Sequence, residues 1–216
     1  MDHSFEDFVT NLSIVEVDDD AFNQYADGHE GNEVRRNNLN LYLRQMTELE
    51  PRILLVGEAP GYQGCARSGV PFTSDAILLD PPPGVAIFGE HSGYRMAPEF
   101  DQPRKEPSST IIWETIATGG LLPLIWSAFP FHPHKPGNPQ SNRPPRVAEM
   151  ALGEEFLLEL LTVFKPEMVV AVGNTADRSL NKLDVEHVKV RHPSQGGKAD
   201  FVTGFLAVVE TVKRAG

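Results

Sequence analysis

The sequence predicts an α/β fold with a central, mainly parallel four-stranded sheet and helices on both faces. Four short apolar runs alternate with helical patterns along the chain: Ile53–Val56, Leu124–Phe129, Met168–Val172 and Val188–Val190. Continuous apolar runs are typical of strands buried on both faces, as in parallel sheets. Three of the runs end in polar loops, GEAPG, SAFPFHPH and RHPSQGG. Because ligands of such sheets bind at the carboxyl ends of the strands, these loops predict the functional site.

The first predicted helix precedes the first strand. Apolar residues recur at spacings of three and four within Val34–Leu49, which predicts a helix that ends before Pro51. The strand Ile53–Val56 follows and is ended by Gly57. The glycine permits a sharp change of direction into the GEAPG loop.

A long irregular insertion separates the first strand from the second. Residues 80–107 are rich in Pro and Gly, and they contain one short apolar run, Val85–Phe88, that we interpret as a strand. Ser108 or Ser109 is the predicted cap of a helix that continues to Ala117, where two glycines end it.

Three more helices are predicted in the second half of the chain. Arg146–Phe164 has an amphipathic pattern and ends before Pro166. The third strand opens into a short helix, for which Asn174 is the expected N-cap. Phe201–Lys213 is the predicted closing helix.

Charge divides the chain into two parts. Residues 1–33 hold ten acidic residues and no Lys or Arg, while residues 34–216 hold 19 basic and 20 acidic residues. We therefore predict an acidic N-terminal segment, residues 1–33, followed by one α/β domain, residues 34–216. The net charge of -11 comes from the first part, so it does not exclude a locally positive surface on the domain.

Composition excludes several classes of protein. No apolar run approaches the roughly 20 residues that span a membrane, so we expect no membrane partner. One cysteine, Cys65, leaves no possibility of an intramolecular disulfide or of a cluster held by several cysteines. We expect a cytoplasmic location, associated with the nucleoid or, in a eukaryote, the nucleus, and a monomeric protein.

Five segments resemble the motifs of the uracil-DNA glycosylase superfamily. They are, in order, Gly57–Gly61 (GEAPG), Gly69–Phe72 (GVPF), Leu124–Phe129 with the later Asn142–Pro145 (NRPP), Met168–Ala176 (MVVAVGNTA) and His192–Ser194 (HPS). The first is similar to the form found in the thermostable iron–sulfur branch of that superfamily. The resemblance covers about Pro51 to Phe205 and implies a uracil-DNA glycosylase-like fold.

Two positions depart from the pattern of this branch. The branch holds an iron–sulfur cluster with four cysteines, whereas this chain has only Cys65, so we expect no cofactor and no metal. The middle motif of the branch begins with an Asn that reads the uracil edge, and Ser127 stands at that position here.

The resemblance implies a DNA repair enzyme of the base excision pathway. We expect a monofunctional glycosylase that hydrolyses the N-glycosidic bond of uracil, or of another deaminated base, flipped out of DNA. His192 is expected to donate a hydrogen bond to the base carbonyl. Many members carry an Asp at the site of Ala59, and we therefore assign the polar catalytic role to Glu58, with His132 and His134 from another loop as the alternatives.

The remaining site residues are also implied by the resemblance. Phe72 is the expected stacking face, and the backbone around Glu58–Gly61 is the expected floor of the pocket. The full base-binding set is Gly57, Ala59, Gly61, Tyr62, Phe72 and Ser127. The expected DNA-binding set is Ser194, Gln195, Arg143 and Lys198. The HPS loop continues with Gln and two glycines instead of a large apolar wedge, which favours single-stranded or mismatched DNA as the partner.

Two other functions are compatible with the same residues. Ala59, Ser127 and the missing wedge favour a non-catalytic DNA-binding or nucleotide-binding protein on the same fold. His132 and His134 are the two residues on which a metal-dependent hydrolase would depend.

Overall fold

The computed structural model describes residues 5–216, which form eight helices and six strands. In chain order these elements are α1 (Glu6–Ser13), β1 (Ala21–Phe22), α2 (Asn32–Leu49), β2 (Ile53–Gly57), α3 (Cys65–Ser68), α4 (Asp75–Leu79), α5 (Pro107–Gly119), β3 (Leu124–Ser127), β4 (His132–Pro133), α6 (Val147–Phe164), β5 (Met168–Val172), α7 (Asn174–Lys182), β6 (Val188–Val190) and α8 (Lys198–Ala215). One 3-10 turn, Glu90–Ser92, lies between α4 and α5.

Four parallel strands form the central sheet, in the order β3-β2-β5-β6. Every residue of β2 is buried, so both faces of this central strand are covered. Helices α6, α7 and α8 contact the strands, and α5 packs against α8. The predicted fold class is confirmed.

The register of the sheet brings the predicted loops together. Gly57, the last residue of β2, pairs with Ser127, the last residue of β3. On the other side of the sheet, Val172 of β5 pairs with Val190 of β6. Because all four strands end at one edge, the loops that follow them line a common space.

The N-terminal segment packs on this body. Phe8 and Leu12 of α1 are buried, and the ring of Phe8 lies 5.4 Å from the ring of Trp126 in β3. Farther along, β1 pairs antiparallel with β4, with Phe22 opposite His132. The acidic residues of the segment therefore surround apolar anchors that belong to the main core.

Three local predictions are wrong. Val85–Phe88 forms no strand. Its side chains pack into the core instead, and the ring of Phe88 lies 4.8 Å from that of Trp113. The N-cap of α5 is Glu106 and not a serine. Pro107 occupies the first helical position, and the Glu106 carboxylate accepts hydrogen bonds from the N–H groups of Ser108 and Ser109. Gly173 is the N-cap of α7, so that Asn174 is its first helical residue.

Two short helices, α3 and α4, were not predicted, because they lack the length needed for a periodic pattern. No helix within residues 5–216 is both long and apolar enough to cross a membrane.

Candidate active site

A cleft of about 660 Å³ opens at the carboxyl ends of the parallel strands. Its walls come from the GEAPG loop after β2, the loop between β3 and α6, the first turns of α7, and the loop after β6. Its volume lies within the range of roughly 300 to 1,000 Å³ that is common for small-molecule sites.

The ring of Phe72 forms one face of this cleft. It packs directly on Gly57, where a Cβ atom would overlap the ring. The backbone of Phe72 has φ +51°, in the left-handed region, and its carbonyl oxygen accepts a hydrogen bond from Trp113 Nε1 at 3.2 Å. Absence of a side chain at Gly57 thus lets an aromatic ring lie against the end of β2.

Backbone groups of the GEAPG loop and of the residue after it form hydrogen bonds with two neighbouring segments. The carbonyl oxygen of Glu58 accepts a hydrogen bond from the N–H of Phe129 at 3.0 Å. The N–H of Tyr62 donates to Asn142 Oδ1 at 3.0 Å, which joins this loop to the NRPP segment. The carboxylate of Glu58 is half-buried on the cleft and has no hydrogen-bond or ion-pair partner within residues 5–216.

The ring of His192 lies beside that of Phe72 on the cleft, with 6.2 Å between ring centroids and 40° between ring planes. The backbone N–H of Ser194 donates to His192 Nδ1 at 3.1 Å, and the Ser194 hydroxyl oxygen lies 2.8 Å from the same nitrogen. A nitrogen that accepts a hydrogen bond carries no proton, so the neutral ring is protonated on Nε2. Nε2 has no partner in the part of the chain that the structure describes, which leaves an N–H donor for a ligand.

The His192 ring favours its neutral form. Burial lowers the pKa of His192, and the cation Arg191 acts in the same direction. The carboxylates of Glu58 and Glu106 oppose this effect. A neutral imidazole donates from Nε2 without bringing a positive charge into the cleft.

Ser127 lies on the floor of the cleft, 3% exposed. Its hydroxyl has no hydrogen-bond partner among the residues described. The residue lines the cleft, so this hydroxyl borders open space. The group is therefore available to a ligand.

Comparison with known proteins identifies the family. The family model of the Uracil DNA glycosylase superfamily matches residues 44–210. The chain belongs to this superfamily. The resemblance inferred from the five motifs is confirmed, and membership gives the chain a uracil-DNA-glycosylase-type function, that of a DNA repair hydrolase.

A solved structure shows the same fold. The crystal structure of wild-type Pedobacter heparinus SMUG2 is 15% identical in sequence and superposes with a TM-score of 0.63, covering 96% of this chain and 97% of that one. No curated protein matches the sequence.

Most of the residues predicted for a glycosylase site meet in the cleft. Those that line it are Glu58, Ala59, Gly61, Phe72, Ser127, Arg143, His192, Ser194 and Gln195. Three do not line it. Gly57 lies behind the ring of Phe72, Tyr62 joins its backbone to Asn142, and Lys198 is an exposed residue at the start of α8.

Arg143 lines the cleft, but its guanidinium is paired with two carboxylates of the protein. Its Nη2 lies 3.0 Å from Asp20 Oδ1 and 2.5 Å from Glu149 Oε1, and its side chain is 13% exposed. Arg146 also binds Asp20, and hydrogen bonds from Arg146 and then Arg143 lower the pKa of Asp20 to about 2. Arg143 is therefore held by internal ion pairs, and its contact with a phosphate stays a prediction.

His132 is a poor metal ligand in this structure. Its Nδ1 lies 2.8 Å from the carbonyl oxygen of Pro60, and its Nε2 lies 3.1 Å from that of Pro139. A metal bound to either nitrogen would displace one of these oxygens. The ring links the GEAPG loop to the loop after β4, which is a structural role.

Cys65 does not fit the cofactor chemistry of the iron–sulfur branch. A cluster requires four ligands, and the chain has this single thiol. Burial raises the pKa of Cys65 to about 12, so the thiol stays protonated at neutral pH and is a poor nucleophile.

Three further residues of the cleft were missed from sequence: Glu106, Thr175 and Arg178. The pattern Glu-Pro-Ser-Ser at the start of α5 contains a signal for Glu106, because an acidic side chain before a proline is placed to cap a helix. Thr175 and Arg178 follow Gly173 on the first turns of α7, three residues apart and therefore on one face of the helix.

Proposed function

We propose that this protein is a monofunctional DNA glycosylase that excises uracil, or another deaminated base, after the base has been flipped into the cleft. The observation that carries the proposal is the pair of His192 and Phe72. An aromatic face and a neutral N–H donor lie side by side on a cleft at the strand ends. Together they match the two needs of a flipped base, which are stacking and a hydrogen bond to its edge.

The departing base is the group that needs most stabilisation. When the bond between the sugar C1′ and the base nitrogen breaks, its electron pair leaves with the base, and negative charge develops on the base carbonyl oxygen. The His192 Nε2–H donor supports that charge, and it does so best in a cleft from which water is partly excluded. The hydroxyl of Ser127 supplies a second polar contact on the floor.

Water completes the reaction at C1′. The water oxygen bonds to C1′, one water proton passes to the Glu58 carboxylate, and the released base finally takes up a proton. Glu58 suits this role because no hydrogen-bond donor or cation in the described chain binds its carboxylate, so its oxygens are free to accept the proton. No lysine lines the described cleft, which supports hydrolysis by water in preference to attack by an amine.

The surroundings of the cleft support DNA as the substrate. Ser194 and Gln195 on the loop after β6 are exposed beside His192, and Lys198 follows at the start of α8. These groups are suited to phosphate contacts. Because the loop offers no large apolar side chain as a wedge, we propose that single-stranded or mismatched DNA is preferred.

Excision of damaged bases from oligonucleotides tests this function. Labelled single-stranded and duplex substrates containing uracil, hypoxanthine or xanthine would be incubated with the protein and then cleaved with alkali at any abasic site. We expect product from at least one base, and a decrease of about tenfold or more in turnover for His192→Ala. The matched control is His91→Ala, which removes an exposed histidine outside the cleft.

The competing function, a non-catalytic binder, is favoured by Ser127, by the missing wedge and, above all, by Ala59. Ala59 gives the GEAPG loop no carboxylate at the site where many members of the superfamily carry one. A folded protein that binds these oligonucleotides without releasing any of the three bases would establish the binder and end the glycosylase proposal.

A further inference from the structure

The insertion between α4 and α5, residues 80–106, is fixed at the end that reaches the cleft. The guanidinium of Arg67 lies over the ring of Phe100, 3.4 Å from its centroid, and Arg67 Nη2 donates to the carbonyl oxygen of Gln102 at 3.1 Å. The N–H of Ala76 donates to the carbonyl oxygen of Arg104 at 3.1 Å. Arg67 itself is buried and paired with Asp75. The chain therefore arrives at residue 106 in a defined position.

Glu106 ends this insertion and lines the cleft. Its Oε1 accepts the N–H of Ser108 at 3.0 Å, and its Oε2 accepts the N–H of Ser109 at 2.5 Å. A Cβ atom on Gly64 would lie 3.8 Å from Glu106 Cγ, so the side chain runs along the GEAPG-loop wall. Both carboxylate oxygens are immobilised at the start of α5.

The cleft thus has two carboxylates in different states. Glu58 has no partner in the described chain, while Glu106 is held by two backbone donors. We propose that the two divide the work: Glu58 takes the proton of water, and Glu106 is a fixed negative charge that stabilises positive charge on the sugar. This inference rests on the proposed glycosylase function.

The chemistry of the reaction favours a charge that does not move. The sugar becomes positive before water attacks, and a charge already in place stabilises it without any cost of reorganisation. A carboxylate has about four lone-pair sites, and the two amides occupy only two of them. The insertion accordingly has a function, which is to bring a charge to the wall formed by the GEAPG loop.

The groups that set the charge state of His192 come from three elements. They are Glu58 after β2, Glu106 before α5, and Arg191 at the end of β6. Removal of the Glu106 charge lowers the pKa of His192 further, because this carboxylate stabilises the imidazolium form. A change in the pKa of His192 on removal of the Glu106 charge is therefore measurable, and it is not expected if Glu106 only caps α5.

A purely structural role for Glu106, as the cap of α5, is the competing explanation. Asp and Asn separate the two roles, since both are favoured N-cap residues of nearly the same shape and only Asp keeps the charge. Glu106→Asp and Glu106→Asn would be compared with the wild-type chain. Thermal unfolding of both variants would show that α5 still forms.

Single-turnover excision from a uracil-containing single strand is the first readout. We expect the Asp variant to be about tenfold more active than the Asn variant, and the acid limb of the pH–rate profile to lie at lower pH in the Asn variant. Equal rates in two folded variants, with the limb unmoved, would overturn the proposal and leave Glu106 as a cap.

The second readout does not depend on activity. The pKa of His192 would be measured by NMR titration of its ring protons in the wild-type chain and in both variants. We expect a lower pKa in Glu106→Asn than in Glu106→Asp. If the wild-type chain releases no base, the glycosylase function fails, and an unchanged titration of His192 would still reject the role of Glu106.

Discussion

The ring of Phe72 fills the space that a side chain at Gly57 would need. The two residues are 15 positions apart in the sequence, yet their contact brings the GVPF segment back onto the end of β2. Phe72 accepts a left-handed backbone, φ +51°, to reach this position. Such a conformation is costly for a non-glycine residue and persists only where the surrounding structure enforces it.

Gly57→Ala tests whether the position of this ring matters for activity. The added methyl group would displace Phe72, so we expect turnover to fall by about tenfold or more. Excision and thermal unfolding would be measured together. Gly137→Ala is the control, since its Cβ would enter open space; its φ of +70° makes it the more strained of the two substitutions in the backbone. A Gly57→Ala chain as active as this control would show that the ring does not stack on the base.

The pH dependence of excision follows from His192. Its pKa is lowered from 6.5 by burial, so the neutral, active ring predominates above that value and is lost as the pH falls through the lower, folded pKa. We expect an acid limb below 6.5 in kcat/KM, and no such limb in the residual activity of His192→Ala. The same sign holds for stability: the contribution of the buried neutral ring disappears as the pH falls.

Arg67 and Asp75 form a buried ion pair, 2.5 Å between Nε and Oδ2, with side chains 9% and 0% exposed. Arg67→Met leaves Asp75 unpaired, and we expect a loss of about 3 to 5 kcal/mol in the free energy of unfolding. Urea unfolding gives this value. Burial already raises the pKa of Asp75, so the defect should shrink as the pH is lowered and the carboxyl becomes protonated.

The double variant Arg67→Met with Asp75→Leu is the control for that measurement. Removal of both charges avoids an unpaired buried ion, so it should recover part of the lost stability. A double variant no more stable than Arg67→Met alone would indicate that packing on Phe100, and not the charge, is what Arg67 contributes.

Arg191 is exposed at the cleft and has no carboxylate contact in the structure as described. If it meets a DNA phosphate, Arg191→Gln should reduce the slope of log K against log salt by about 1. Fluorescence anisotropy with a labelled single strand measures this slope. Arg214→Gln, at an exposed position near the end of α8, should leave it unchanged. Equal slopes in the two variants would exclude Arg191 from the DNA contact.

Gln195 holds the tip of the loop after β6, with φ +51°, and Gly196 follows at φ +80°. A larger apolar side chain at this tip would act as a wedge between base pairs. We expect Gln195→Leu to raise excision from duplex DNA relative to single strands. An unchanged ratio would mean that base extrusion does not depend on this loop.

The strands could be predicted from sequence because each is a compact apolar run. The loops at their ends could be placed together because parallel strands share one carboxyl edge. Glu58 and His192 were placed in one cleft on this ground, whereas Phe72 was placed there by the resemblance of the GVPF segment to the superfamily.

Charge pairing could not be predicted in the same way. Arg143 follows the NRPP pattern, but its partner Asp20 lies 123 residues away in the acidic segment, and no periodicity relates the two. Glu106 was missed as a cleft residue because the Glu-Pro-Ser-Ser pattern indicates only a helix cap, and nothing in the irregular insertion before it shows that the cap lies at the cleft. Such relations depend on three-dimensional packing.

The ion pairs of Asp20 affect where positive charge is available to DNA at the cleft. By binding Arg143 and Arg146 it neutralises the wall between β3 and α6, whereas Arg178 and Arg191 on the opposite wall remain exposed. A DNA strand that enters the cleft would therefore meet two exposed guanidinium groups on the side formed by α7 and the end of β6.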